Sequence, residues 1–187
     1  MKNMKIIFSL LMVAVMTACS TTSFYNLKKK QFDEIDYKYE VKKQQVENIE
    51  IAYIDEGNSD NVILLIHGLG SNAKAWLKNI PVLSNDYRVI AVDLPGYGKS
   101  SKGYYNYSLS FYADVLTRFL KSLKVEEAVF VGHSMGGQIS MVTAMEFPQF
   151  VKKMVLISPA GFEKFTDGEG DWMKEAMNPE FIQDTPV

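Results

Sequence analysis

The run Ala128-Val129-Phe130-Val131-Gly132-His133-Ser134-Met135-Gly136-Gly137 holds the residues best suited to chemistry. A β-branched and aromatic strand feeds a Gly-x-Ser-x-Gly turn, and Gln138 to Glu146 continues without a helix breaker until Pro148. A serine attacks a carbonyl only when a sharp turn lifts its hydroxyl off the sheet. Small residues two places before and two places after it, here Gly132 and Gly136, leave room for that turn, with His133 between the first glycine and the serine. The spacing nominates Ser134 as the nucleophile of an acyl transfer.

Two other glycine patterns also follow strands and would imply different chemistry. Gly68-x-Gly70-x-x-Ala73, with Asp93 closing the next strand, mimics a dinucleotide fingerprint, in which a helix N-terminus holds pyrophosphate and an acid binds ribose. Against it, His67 intrudes before the first glycine and two strands already precede what would be strand one. A dinucleotide-binding oxidoreductase is therefore the weaker alternative. Gly98-Lys99-Ser100 resembles the end of a phosphate loop, but that loop needs a glycine where Asp93 stands. A metal centre lacks ligands, because the chain has two histidines, His67 and His133, and a single cysteine, Cys19. Neither histidine reads as the base for Ser134. His133 precedes the serine on a strand-like segment, where successive side chains point to opposite faces. Both histidines are expected to make loop and sheet hydrogen bonds, and Asp93 to cap a turn; no cofactor or metal is implied.

The elements that must position Ser134 are legible as alternating apolar segments. Tyr37 to Ile54 reads as two antiparallel strands with Ile49, Ile51 and Tyr53 on one face, closed by Gly57-Asn58-Ser59-Asp60. Four buried strands follow, Val62 to Ile66, Tyr87 to Val92, Ala128 to Val131 and Met154 to Ile157, each separated from the next by a helical stretch. That alternation predicts an α/β fold with a mostly parallel sheet flanked by helices. The clearest helix starts after Ser108, an N-cap residue, and spaces Leu109, Tyr112, Ala113, Leu116, Phe119, Leu120 and Leu123 along one buried stripe. Beyond Gly161 the pattern changes to Phe162-Glu163-Lys164-Phe165, a Gly168-Glu169-Gly170 turn and a short amphipathic stretch with Trp172, Met173 and Met177. This segment reads either as the start of a lid or as an ordinary packed helix.

Taken in order, His67-Gly68-Leu69-Gly70, Asp93-Leu94-Pro95-Gly96-Tyr97-Gly98-Lys99-Ser100, Gly132-His133-Ser134-Met135-Gly136-Gly137 and Ser158-Pro159-Ala160-Gly161 resemble the α/β-hydrolase superfamily. The resemblance covers about Ile49 to Gly161. It implies a nucleophile elbow at Gly132, His133, Ser134 and Gly136, and an oxyanion hole made of the backbone N–H groups of Leu69 and Met135. It also implies a serine hydrolase of carboxylesterase or lipase type, acting through an acyl-enzyme on an ester-like bond in a small molecule with an apolar portion. Peptide, thioester and carbon–carbon bonds are cleaved in the same superfamily. The family places its acid and then its catalytic histidine after the serine, yet no histidine follows His133. With about six of the family's usual eight strands, the chain reads as C-terminally truncated, and inactive alone because its triad is incomplete. An alternative of another class is a noncatalytic lipoprotein that keeps a hydrolase-like sheet as a binding module.

The first residues read as an address rather than as fold. Lys2 and Lys5 precede an apolar run from Ile6 to Met16, too short to span a bilayer comfortably, and small residues follow. Met16-Thr17-Ala18-Cys19 resembles the lipobox of bacterial lipoproteins, with Met16 in place of the usual aliphatic residue. The expectation is an exported protein, lipid-anchored through Cys19 to a bacterial membrane of the cell envelope. The chain then divides into a signal peptide at 1–18, a lipidated tether at 19–34, the N-terminal part of a hydrolase core at 35–161 and the start of a lid or cap at 162–187. Lys28-Lys29-Lys30 in the tether reads as solvated surface or as a contact to anionic lipid. With 20 basic against 22 acidic residues over 187 positions, no basic surface for nucleic acid is expected.

Overall fold

Strands form where the sequence is β-branched and apolar, and they assemble into one six-stranded sheet in the order β1-β2-β4-β3-β5-β6. A computed structural model describes residues 34–161. β1 (Lys42–Val46) and β2 (Ile49–Glu56) form an antiparallel hairpin with Lys42 opposite Tyr53 and Val46 opposite Ile49. β2 pairs antiparallel with β4 (Arg88–Val92), and the remaining neighbours, β3 (Val62–Ile66), β5 (Ala128–His133) and β6 (Val151–Ile157), run parallel. The mostly parallel α/β sheet expected from the alternation is thus present. The leader, Cys19 and the tether up to residue 33, and the lid expected at 162–187, lie outside the described residues.

β3 is central because its unbroken Val-Ile-Leu-Leu-Ile run is buried on both faces, and the two faces enter different cores. Leu64 and Ile66 join Ile51, Ile90, Val92 and Phe130 under two helices, α2 (Leu109–Ser122) and α3 (Met135–Glu146). Ile63 and Leu65 face the other way and pack with Ile54, Val89 and Ala91 under the 3-10 turn Ala73–Trp76 and the short α1 (Ile80–Leu83). Period-two alternation therefore sorts one strand's side chains between two layers of helix.

Several boundaries differ from the sequence reading for physical reasons. Tyr37 to Val41 is not strand; Tyr37 is buried because its hydroxyl reaches a carboxylate in the core. β2 keeps Ile49, Ile51 and Tyr53 on one face as expected, but Ile54 also packs on the opposite side, so the strand is covered twice. β6 begins at Val151, three residues before the expected Met154, and among the described residues it pairs only with β5. Its Met154, Val155 and Ile157 are accordingly exposed. Among the described residues no helix is long and apolar enough to cross a membrane.

α2 starts where its cap is. The Ser108 hydroxyl accepts a hydrogen bond from the Phe111 N–H at 3.1 Å, and Tyr112, Ala113, Leu116, Phe119 and Leu120 are buried along the expected stripe. Leu109 and Leu123 flank that stripe half-buried. Replacing Ser108 with alanine leaves the Phe111 donor without its side-chain acceptor, and is expected to lower unfolding free energy by about 1 kcal/mol. Ser108→Asp restores an acceptor and most of that loss, as urea denaturation of the two variants will show.

Candidate active site

The turn from β5 to α3 places Ser134 in a backbone conformation that non-glycine residues rarely adopt. Its φ is 52° and its ψ −118°. Such a conformation persists only when its surroundings over-determine it. Here the Ser134 N–H donates to the Ile157 carbonyl at 3.0 Å, and the Ser134 carbonyl accepts from Gly137, Ala160 and Gln138 at 3.0, 3.1 and 3.2 Å. The end of β6 and the turn after it therefore clip the serine from outside, while the first turn of α3 holds it from inside.

The glycines are required by contact distance. A Cβ on Gly132 would sit 2.3 Å from the Gly136 carbonyl oxygen, and one on Gly136 would sit 2.3 Å from the Ile66 carbonyl oxygen. Any side chain at either position would push α3 away from the ends of β5 and β3. The sequence reading of these two residues as makers of space matches this packing.

The loop after β3 comes to the same place. A Cβ on Gly68 would lie 3.2 Å from the Ser134 Cβ and 3.0 Å from the His133 Nδ1, so both side chains border the Gly68 backbone. Leu69 next to it is 49% exposed. Among the described residues, neither the Leu69 N–H nor the Met135 N–H has a hydrogen-bond acceptor. Met135 is the first residue of α3, where backbone donors have no intrahelical partner and the helix dipole favours negative charge.

His67 and Asp93 are fully buried and fully engaged. The His67 Nδ1 lies 2.8 Å from the Gly68 carbonyl oxygen, and its Nε2 accepts from the Leu94 N–H at 3.1 Å. Among the described residues no hydrogen bond joins the Ser134 hydroxyl to either histidine. Asp93 accepts from the Ala73 N–H at 2.7 Å through Oδ1, and from the Lys99 N–H at 2.7 Å and the Tyr37 hydroxyl at 2.8 Å through Oδ2. Burial, then the Asp93 charge and its hydrogen bond, push the Tyr37 hydroxyl far above its ordinary range and keep it a donor.

This arrangement accounts for both misleading glycine patterns. The Ala73 N–H that would face a pyrophosphate is bonded to Asp93, and the element it opens is a 3-10 turn rather than a long helix. Asp93 is enclosed with both oxygens occupied, so it braces loops instead of presenting itself to a ribose. Lys99 contributes its backbone to that brace, and the Ser100 hydroxyl donates to the Asp93 carbonyl at 2.6 Å and accepts from the Ala52 N–H at 2.8 Å. Sequence inspection missed Tyr37, whose partner lies 56 residues away, and the Ile157 and Ala160 clip on Ser134. Among the described residues no group of three or more His, Cys, Asp or Glu is placed to hold a metal ion.

Comparison with known proteins adds a consistent frame. The family model described as alpha/beta hydrolase fold matches residues 61–186. The dihydrolipoyllysine-residue acetyltransferase component of the acetoin cleaving system of Cupriavidus necator is 38% identical over 117 residues, which is 63% of this chain and 31% of that protein. A meta-cleavage product hydrolase from Pseudomonas fluorescens IP01 superposes with a TM-score of 0.61 at 35% identity, covering 64% of this chain and 45% of its own. A membrane phospholipase A described as a bacterial virulence factor superposes with a TM-score of 0.69 at 28% identity, covering 98% of this chain and 62% of its own. The chain thus spans less than two thirds of each of these proteins.

Burial of His67 has a measurable consequence. Desolvation pushes its pKa below the ordinary 6.5, outweighing the Gly68 carbonyl and the Asp93 charge, which act in the opposite direction. Below pH 6.5 the unfolded chain takes up a proton that the folded chain refuses. The stability held by neutral His67 is therefore complete above about pH 6.5 and is lost as pH falls from there toward the lower folded value, with a slope of up to about 1.4 kcal/mol per pH unit. Urea midpoints at pH 7.5 and 5.5 should separate more for the wild type than for His67→Asn, which has no imidazole to titrate.

Proposed function

The chain belongs to the alpha/beta hydrolase fold family, and on that premise we propose that it is the nucleophile-bearing part of a serine hydrolase that cleaves carboxylic ester-like bonds through an acyl-enzyme. The observation that carries this reading is the left-handed Ser134 between β5 and α3, bordered by Gly68, with the following Leu69 and Met135 N–H groups lacking an acceptor among the described residues. The Ser134 Oγ forms a bond to the substrate carbonyl carbon and gives its proton to a base. The carbonyl oxygen becomes an oxyanion that the Leu69 and Met135 N–H groups hold. Collapse of this intermediate breaks the bond to the leaving alcohol, which takes the proton, and water then releases the acid from the serine. Preorganised donors of this kind contribute about 10²–10³ in rate each.

The base and its orienting acid are proposed to come from sequence beyond these 187 residues. No histidine follows His133, and His67 is engaged on both nitrogens. Loss of the histidine alone costs subtilisin roughly 10⁶ in turnover, so the 187 residues alone should turn over almost no ester. The exposed Leu69, next in chain to the Gly68 that borders the serine, and the apolar residues after Gly161 favour substrates with an apolar portion, a preference also suggested by the phospholipase likeness. The Met16-Thr17-Ala18-Cys19 pattern supports export and lipid attachment at Cys19, which would hold the enzyme against a bacterial membrane.

A fluorophosphonate probe applied to the natural protein in its membranes should label Ser134, and Ser134→Ala should abolish the label with stability retained. An unlabelled wild-type protein would instead leave a noncatalytic binding module on the same sheet. Intact mass of the membrane-extracted protein should exceed that of residues 19–187 by the acyl groups on Cys19 and by the segment that holds the triad partners. Cys19→Ser should release the protein from the membrane fraction.

A further inference from the structure

We infer that His67 is a positioning residue for the oxyanion donor on Leu69, because its imidazole holds the peptide plane that joins Gly68 to Leu69. The use of the Leu69 N–H rests on the serine-hydrolase reading above; the hydrogen bonds that fix it do not. A trans peptide sets its C=O and N–H antiparallel in one plane, and no described peptide bond is cis. The Gly68 carbonyl accepts from the His67 Nδ1 at 2.8 Å and from the Ser71 N–H at 3.3 Å. With that oxygen drawn toward the buried ring, the N–H across the plane faces away from the ring; Leu69 is exposed, and the Gly68 before it borders Ser134.

The Nδ1 can donate to that carbonyl only if it carries the ring proton. Leu94 settles this, since its N–H points at Nε2, which must then offer a lone pair, and in a neutral imidazole the other nitrogen is the N–H. One backbone amide at the end of β4 therefore selects the tautomer, the tautomer anchors a carbonyl, and the carbonyl aims the donor. Among the described residues the other groups facing the ring are the Asp93 carboxylate and the Tyr97 ring, centred 5.2 Å away in an edge-to-face arrangement. A protonated ring would lose the Nε2 lone pair and leave two N–H groups opposed at Leu94. His67 contacts no reacting atom; its part in the reaction is to set a direction before the substrate arrives.

The test uses the full-length natural protein, with Ser134 labelling by the fluorophosphonate read first. In a long-range 1H–15N spectrum of the wild type at pH 7.5, the His67 Nδ1 should carry the proton and the Nε2 should be bare. The reverse pattern overturns the inference whatever the activity. His67→Leu should lower kcat of ester hydrolysis by about 10²-fold, the scale of one misaligned oxyanion donor, with KM changed less than about threefold. His67→Asn, which keeps a donor at the Nδ1 position, should recover most of that loss. His67→Gln places its amide at the Nε2 position and should remain slow, so it serves in place of the leucine variant if that one does not fold. Equal kcat in the asparagine and glutamine variants, or a loss confined to KM, overturns the proposal. If the hydrolase reading itself is wrong, the wild type stays unlabelled; if only the His67 inference is wrong, the wild type is labelled and a folded leucine variant matches its kcat.

Discussion

The left-handed backbone at Ser134 is the constraint around which the rest of the molecule is arranged. A non-glycine residue in so sparsely populated a region carries roughly 1–3 kcal/mol of strain, and a short turn between strand and helix has little of its own with which to offset it. The offset arrives from three strands at once. β5 carries the serine, β3 supplies the Ile66 carbonyl against which Gly136 is seated, and β6 supplies the Ile157 carbonyl that receives the serine N–H. Parallel strands bring all three ends to one edge of the sheet, which is why the site can exist only after the β3-β5-β6 pairing is complete. The same geometry places the positive end of α3 beside the hydroxyl.

Two buried polar residues do for the surrounding loops what the strand ends do for the serine. His67 and Asp93 end adjacent strands, β3 and β4, yet neither points its polar atoms at solvent or at Ser134. Their partners are mostly backbone amides and carbonyls of loops that would otherwise leave buried groups unsatisfied. A carboxylate or an imidazole inside a core is costly unless saturated, and saturation here converts three loops of irregular backbone into fixed geometry.

What could be read from the sequence follows from range. Ser134, Gly132 and Gly136 lie within five positions of one another, and the strand before and helix after them carry their own periodicity, so motif and setting were visible together. The α2 stripe and its Ser108 cap were visible for the same reason. β3 was legible as a buried strand through an apolar run with no polar alternation, while its central place appears only in the strand order. Contacts that span the chain left no such mark. Nothing near Tyr37 indicates a partner at Asp93, and the Ser158-Pro159-Ala160-Gly161 turn does not reveal that Ala160 reaches the Ser134 carbonyl.

Asp93 binds the Tyr37 hydroxyl, the Ala73 amide and the Lys99 amide with one carboxylate. Segments separated by tens of residues therefore lack independent opening motions around it: releasing any one of them uncovers a charge that the other two must share with water. On the timescale of amide exchange these segments should behave as a single cooperative unit. Around that carboxylate the loops yield together, so their arrangement in solution is closer to one of two states than to a continuum.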